Sequence, residues 1–131
     1  MEYDKFITAC EKNNVDMVKL LLQDTRVDPS DKENSAIRWA SGYGHADVVK
    51  LLLQDTRVDP SDRENEAIIL ASLNGHADVV KLLLQDTRVN PSDRQNSAII
   101  QASGYGHLKV VKLLLKDTRV NPSDRQNSAI N

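Results

Sequence analysis

Residues 44–58 read Gly-His-Ala-Asp-Val-Val-Lys-Leu-Leu-Leu-Gln-Asp-Thr-Arg-Val, and residues 75–89 read the same fifteen letters. From Gly106 the string returns with Leu108, Lys109 and Lys116 substituted. The spacing between copies is 31 residues, and periods of this size mark arrays of stacked supersecondary units. One period earlier, Asn13-Asn14 stands where Gly-His stands later, and Val15 to Leu22 follows the same pattern. The register reaches the N-terminus, setting Phe6 under Ile37 and Ala9 under Ala40. The chain therefore divides into an N-terminal capping repeat (1–30), three repeats (31–61, 62–92, 93–123) and a partial repeat (124–131), all in one domain.

Each period holds two helical segments. In the second, Val48, Leu51 and Leu52 follow i, i+3, i+4, and Val49, Leu52 and Leu53 follow the same spacing, giving a wide apolar stripe. The first runs from about Asn34 to Tyr43. Asn34, Asn65, Asn96 and Asn127 are read as its N-caps, with Ser61–Glu64 or Ser92–Gln95 as a rival capping box. Asp-Pro-Ser-Asp is read as a turn. Pro29, Pro60, Pro91 and Pro122 stop the preceding helix, and Gly44, Gly75 and Gly106 end the first helix in a tight turn. Helix, tight turn, helix and Pro-marked loop make one unit of a solenoid.

These residues resemble the ankyrin repeat over essentially the whole chain. Gly-His-x-Asp-Val-Val-Lys-Leu-Leu-Leu is close to the family's second helix, Val-Asp/Asn-Pro-Ser-Asp to its Val-Asn-Ala-x-Asp loop, and Ala36-Ile37…Ala40-Ser41 to its Thr-Pro-Leu-His-x-Ala-Ala helix. The departures are a period of 31 rather than 33, Thr-Arg in place of Gly-Ala after the second helix, and Ser/Glu-Ala-Ile-Arg/Ile in place of Thr-Pro-Leu-His. The short period looks like that of arrays in some protists and giant viruses, and the near-identity of the repeats suits recent tandem duplication or a consensus design. The resemblance implies an all-α, ankyrin-like helix-turn-helix solenoid with short loops in place of full β-hairpin fingers. It also implies a scaffold for protein–protein interaction. The alternative is a structural or designed array without a dedicated partner.

Composition agrees with a folded domain. Of 131 residues, 40% are hydrophobic and 27% charged, and only 4% are aromatic, so Leu, Ile, Val and Ala must build the core. The single cysteine, Cys10, permits no internal disulfide; it shares the apolar side of the first helix with Phe6 and is read as a core residue. No apolar run approaches the ~20 residues a membrane helix needs, and no signal peptide is evident, so a cytoplasmic setting without membrane contact is expected. The net charge of −2 argues against nucleic-acid binding. It is unevenly spread: residues 1–65 hold 9 Lys/Arg against 13 Asp/Glu, and residues 66–131 hold 8 against 6.

No catalytic constellation, cofactor motif or metal set emerges, and an enzyme is not expected. His45, His76 and His107 occupy equivalent positions about one helix-packing distance apart, ~8–10 Å, too far to share one zinc ion. They are read as turn residues bonding between repeats. Arg26, Arg57, Arg88 and Arg119 recur in register, as do Lys32, Arg63, Arg94 and Arg125, and Asp31, Asp62, Asp93 and Asp124. Salt bridges within and between the loops explain these ladders; a row of forks for an acidic or phosphorylated peptide is the sharper use of Arg63 and Arg94.

The repeats also serve as an internal comparison. The positions that vary while their neighbours stay fixed are Ser35/Glu66/Ser97, Arg38/Ile69/Ile100, Trp39/Leu70/Gln101, Gly42/Leu73/Gly104 and Tyr43/Asn74/Tyr105. Their offsets define one face of the first helix, opposite the fixed Ala36, Ile37, Ala40 and Ser41. This face is expected to bind a protein partner through Arg38, Trp39, Tyr43, Glu66, Leu70, Leu73, Asn74, Gln101 and Tyr105, with Trp39 as anchor. The last repeat keeps Ile99, Ile100, Val110, Val111 and Leu113 to Leu115, and the chain stops at Ala129-Ile130-Asn131 without a polar cap. A solenoid end of that kind points to a longer array or to self-association through the uncapped C-terminal repeat.

Overall fold

The structure, a computed structural model, describes residues 1–120; Pro122 and the partial repeat 124–131, with Asp124, Arg125 and Asn127, lie outside them. Eight helices follow one another: α1 (Glu2–Glu11), α2 (Val15–Leu22), α3 (Asp31–Tyr43), α4 (Ala46–Leu53), α5 (Asp62–Leu73), α6 (Ala77–Leu84), α7 (Asp93–Gly104) and α8 (Leu108–Lys116). No strand occurs among the described residues. Helices α1, α3, α5 and α7 pack side by side in one layer, and α2, α4, α6 and α8 in a second, each pair of a module closed by a tight turn. This is the all-α solenoid the repeat predicts.

The core is the set of fixed positions. Ile37, Ile68 and Ile99 are each 1% exposed, and Leu52, Leu83 and Leu114 are fully buried. Phe6 and Leu21 fill the equivalent sites in the first module, and Cys10, standing where later modules carry Ser41 and Ser72, is fully covered. Burial pushes the Cys10 thiol up to about 12, which leaves it protonated and inert at neutral pH. Pro29, Pro60 and Pro91 are buried where each second helix has ended.

Glycine is required at the turn between helices. Gly44, Gly75 and Gly106 have φ of +79, +77 and +75°, and the amides of Gly44 and His45 close back on Ser41 and Ala40. That bonding pattern ends a helix in a left-handed residue.

The start of the first helix departs from the sequence reading. Three successive residues in each of the three following modules are left-handed: Lys32-Glu33-Asn34, Arg63-Glu64-Asn65 and Arg94-Gln95-Asn96, with φ from +52 to +66°. Right-handed helix resumes only after the asparagine. Asn34 and Asn65 are therefore not N-caps, and the Ser61–Glu64 capping box does not form. Ser61 instead directs both its amide and its hydroxyl to Asp59 Oδ1, as Ser30 does to Asp28, which is the turn expected of Asp-Pro-Ser-Asp.

The asparagine side chains tie modules together. Asn34 Oδ1 accepts from the Asp59 amide at 2.8 Å, and its Nδ2 donates to Asp62 Oδ2 at 2.9 Å. Asn65 repeats both bonds with Asn90 and Asp93 at 2.9 and 3.0 Å. Left-handed residues other than glycine cost ~1–2 kcal/mol, asparagine least. Glu64 makes no compensating side-chain bond among the described residues and is exposed, so Glu64→Gly will raise stability by about 0.5–1 kcal/mol in urea unfolding.

A second tie runs through the Asp-Thr-Arg triplet. Arg57 grips Asp55 through two nitrogens at 2.9 and 2.8 Å and reaches the carbonyls of Val27 and Leu22 in the module before. Arg88 bonds Asp86 and Val58 O in the same way; Arg119 bonds Asp117, Leu84 O and Val89 O. Asp24–Arg26 forms the same fork in the first module. The guanidinium hydrogen bonds hold Asp55, Asp86 and Asp117 below the usual carboxylate range and bring Asp24 down to about 2. A depressed carboxylate contributes stability that is complete above its unfolded value, ~4, and is lost as pH falls through the folded value. The melting temperature is therefore expected to hold from neutral pH to about pH 4–5 and to fall steadily from there to pH 2 in thermal scans.

Candidate functional site

The varying positions lie on the layer formed by α1, α3, α5 and α7, and the structure divides them into groups with different surroundings. Trp39 and Tyr43, one turn apart on α3, are 43% and 51% exposed, with ring centroids 6.2 Å apart and planes at 26°. Tyr105 is 66% exposed and stacks on His107. Leu70, Leu73 and Gln101 are half-buried, and Leu70 sits where a methyl on Gly42 would come within 3.5 Å of its Cβ. These six uncharged side chains, five aromatic or aliphatic and one amide, are spread over three modules.

Arg38 differs from its expected role. Its side chain is buried, and its guanidinium donates to Lys32 O, Glu33 O and Glu66 Oε1 at 3.1, 3.0 and 3.2 Å. The two carbonyls belong to left-handed residues, so the forked cation braces the strained turn that opens α3. Glu66 also meets Arg63 Nε at 3.2 Å and Arg94 at 3.9 Å. Glutamate at the position where the neighbouring repeats carry serine is thus matched to arginine three residues later in the preceding module. Two of the varying positions compensate one another inside the scaffold.

Arg63 and Arg94 are exposed but not idle, since Arg94 also donates to Arg63 O at 2.8 Å. Asn74 is exposed, and its Nδ2 donates to Gly42 O at 2.9 Å. That carbonyl also accepts from His76 Nε2 at 3.1 Å. His45 and His107 make the equivalent bonds to Glu11 O and Leu73 O at 2.8 and 2.9 Å. Each ring thus bonds the preceding module, as its turn position suggests. Among the described residues no group of three or more His, Cys, Asp or Glu could hold a metal ion, and no helix is long and apolar enough to cross a membrane.

A family model described as ankyrin repeats (3 copies) matches residues 5–64 and 55–124. The chain belongs to the ankyrin-repeat family. Its fold is similar to a chain in the crystal structure of the yeast ribosomal protein Rps3 in complex with its chaperone Yar1, with a TM-score of 0.73 and 26% identity. The likeness covers 93% of this chain and 96% of that one. No curated protein matches in sequence. This ankyrin array is a protein-interaction repeat scaffold, in a family of non-catalytic scaffolds.

Sequence reasoning missed some of the surface. The first module shares the stripe offsets, which places Asp4, Ile7 and Thr8 beside Ser35, Arg38 and Trp39 around one hollow. The 31-residue register, carried back into α1, is the signal that finds them. It also missed the asparagine ties, because a capping residue and a cross-module clamp look alike in a single repeat.

Proposed function

We propose that the array binds another protein through the strip of Trp39, Tyr43, Leu70, Leu73, Gln101 and Tyr105, with no chemistry of its own. The observation that carries this reading is the exposure of stacked Trp39 and Tyr43 on a face whose scaffold bonds are already complete. Large aromatic side chains left half in water on a rigid surface are the residues that dominate interface energies. The mechanism is pre-organisation. Helix packing, the Asn and Arg ties and the buried Arg38–Glu66 pair fix the strip in advance, so binding costs little ordering entropy. Arg63, Arg94 and Asn74 form its polar edge, while Arg38 and Glu66 support it from beneath. A cytoplasmic setting fits the single buried cysteine.

Affinity capture with the wild-type chain and with Trp39→Ala plus Leu73→Ala as baits tests the reading. The double variant is expected to lose its specific partner by tenfold or more, about 1.4 kcal/mol or above, while keeping its melting profile. Equal capture by both baits rejects the strip.

The last module favours a second use of the array. Leu108 and Leu115 are 64% and 50% exposed, and Ser103 is open to solvent where Ser41 and Ser72 are fully covered. Pairing of this face with another molecule of the same chain would cover them, and a strictly monomeric chain at high concentration counts against it.

A further inference from the structure

The hollow between α1 and α3 has a volume of about 400 Å³. It exists because the first module carries Thr8 where the second carries Trp39, so one wall of the strip is a small side chain and the facing wall a large one. Ile7 and Ser35 lie at its base, and the Ser35 hydroxyl is taken by Tyr3 Oη at 2.8 Å. Arg38, also lining it, has its guanidinium committed to Glu66 and two carbonyls. Lys32 is different. It is exposed at the rim, enters no ion pair among the described residues, and its ammonium rests 5.5 Å from the centre of the Tyr3 ring. Asp4 is the carboxylate on the facing α1 wall, exposed and 3.7 Å from the N-terminal ammonium.

We propose that this hollow is the anchor pocket of the binding strip and takes a peptide segment in which an aliphatic or aromatic side chain is followed by an acidic one. The inference rests on the strip being the binding surface. The apolar side chain enters between Ile7 and Trp39. The carboxylate sets against Lys32 on the α3 side, and Asp4 on the α1 side, itself balanced by the N-terminal ammonium, offers the occupant's acid no attraction there. A cation without an acidic partner beside an aromatic wall thus selects the sign of the occupant's charge and favours one direction.

The test uses the ¹⁵N-labelled chain titrated with acetyl-Leu-Glu-amide, followed at the Trp39 indole N–H and the Ser35 amide. Saturable shifts at low-millimolar probe are expected, with affinity about threefold weaker for acetyl-Leu-Gln-amide and for Lys32→Gln, the scale of one solvent-exposed ion pair. Thr8→Trp, which installs the second module's residue, is expected to fill the hollow and abolish the shifts with the rest of the spectrum unchanged. Absence of saturable shifts, equal response to both probes, or binding that survives Thr8→Trp overturns the proposal. If capture still depends on Trp39 and Leu73 in that event, the strip stands and only the pocket falls; if capture is also indifferent to them, both fall.

Discussion

Gly75→Ala will destabilise the array by about 2–4 kcal/mol, and Gly106→Ala, the same substitution one module later, by about 1 kcal/mol. Both residues are left-handed, so both variants carry the strain of a Cβ in that region, partly offset by a stiffer unfolded chain. They differ in what the new methyl meets. At Gly75 it would lie 2.5 Å from His107 Nδ1 and 2.7 Å from Cε1, whereas at Gly106 nothing among the described residues lies within 4 Å. The His107 ring must withdraw, and its bond to Leu73 O goes with it. Denaturant unfolding of the two variants side by side isolates the contact from the backbone strain. Equal losses would show that the ring yields freely and that the turn histidine is not a tie between modules.

Asn65→Ala comes next, with an expected loss of about 2–3 kcal/mol. Asn65 is only 4% exposed, and truncation removes the acceptor of the Asn90 amide and the donor to Asp93 together. Alanine also tolerates φ of +63° less well than asparagine. Asn65→Gly separates the two effects, since it keeps the left-handed backbone and loses only the bonds. It should recover part of the loss. A glycine variant as stable as the wild type would show that the asparagine serves its own backbone and clamps nothing. Urea melts read both outcomes.

The modular fold is legible in the sequence because helix, turn and loop all recur with one register, and repetition turns weak local signals into strong ones. Gly75 and His76 can be interpreted from a single copy: a small residue before a polar turn residue has few structural uses. Asn65 cannot. Its local position suits a cap, and only the path of the next loop reveals that its amide serves Asn90 and Asp93. The varying strip is legible in outline, since residues that vary around a fixed core mark the outer face. Arg38 and Glu66 escape that logic because two varying positions can be variable together: a salt bridge between modules substitutes both partners and leaves the face unchanged. Ile7 and Thr8 are hidden by the weak similarity of the first module.

The Asp-Thr-Arg fork has an evolutionary corollary. Each boundary among the described residues is joined by a guanidinium from one unit and one or two backbone oxygens of the unit before, and backbone oxygens are present whatever the side chains. Recombination that adds or deletes a whole unit therefore creates junctions already compatible with their new neighbours, so the gene can change the length of its product without first evolving a new seam.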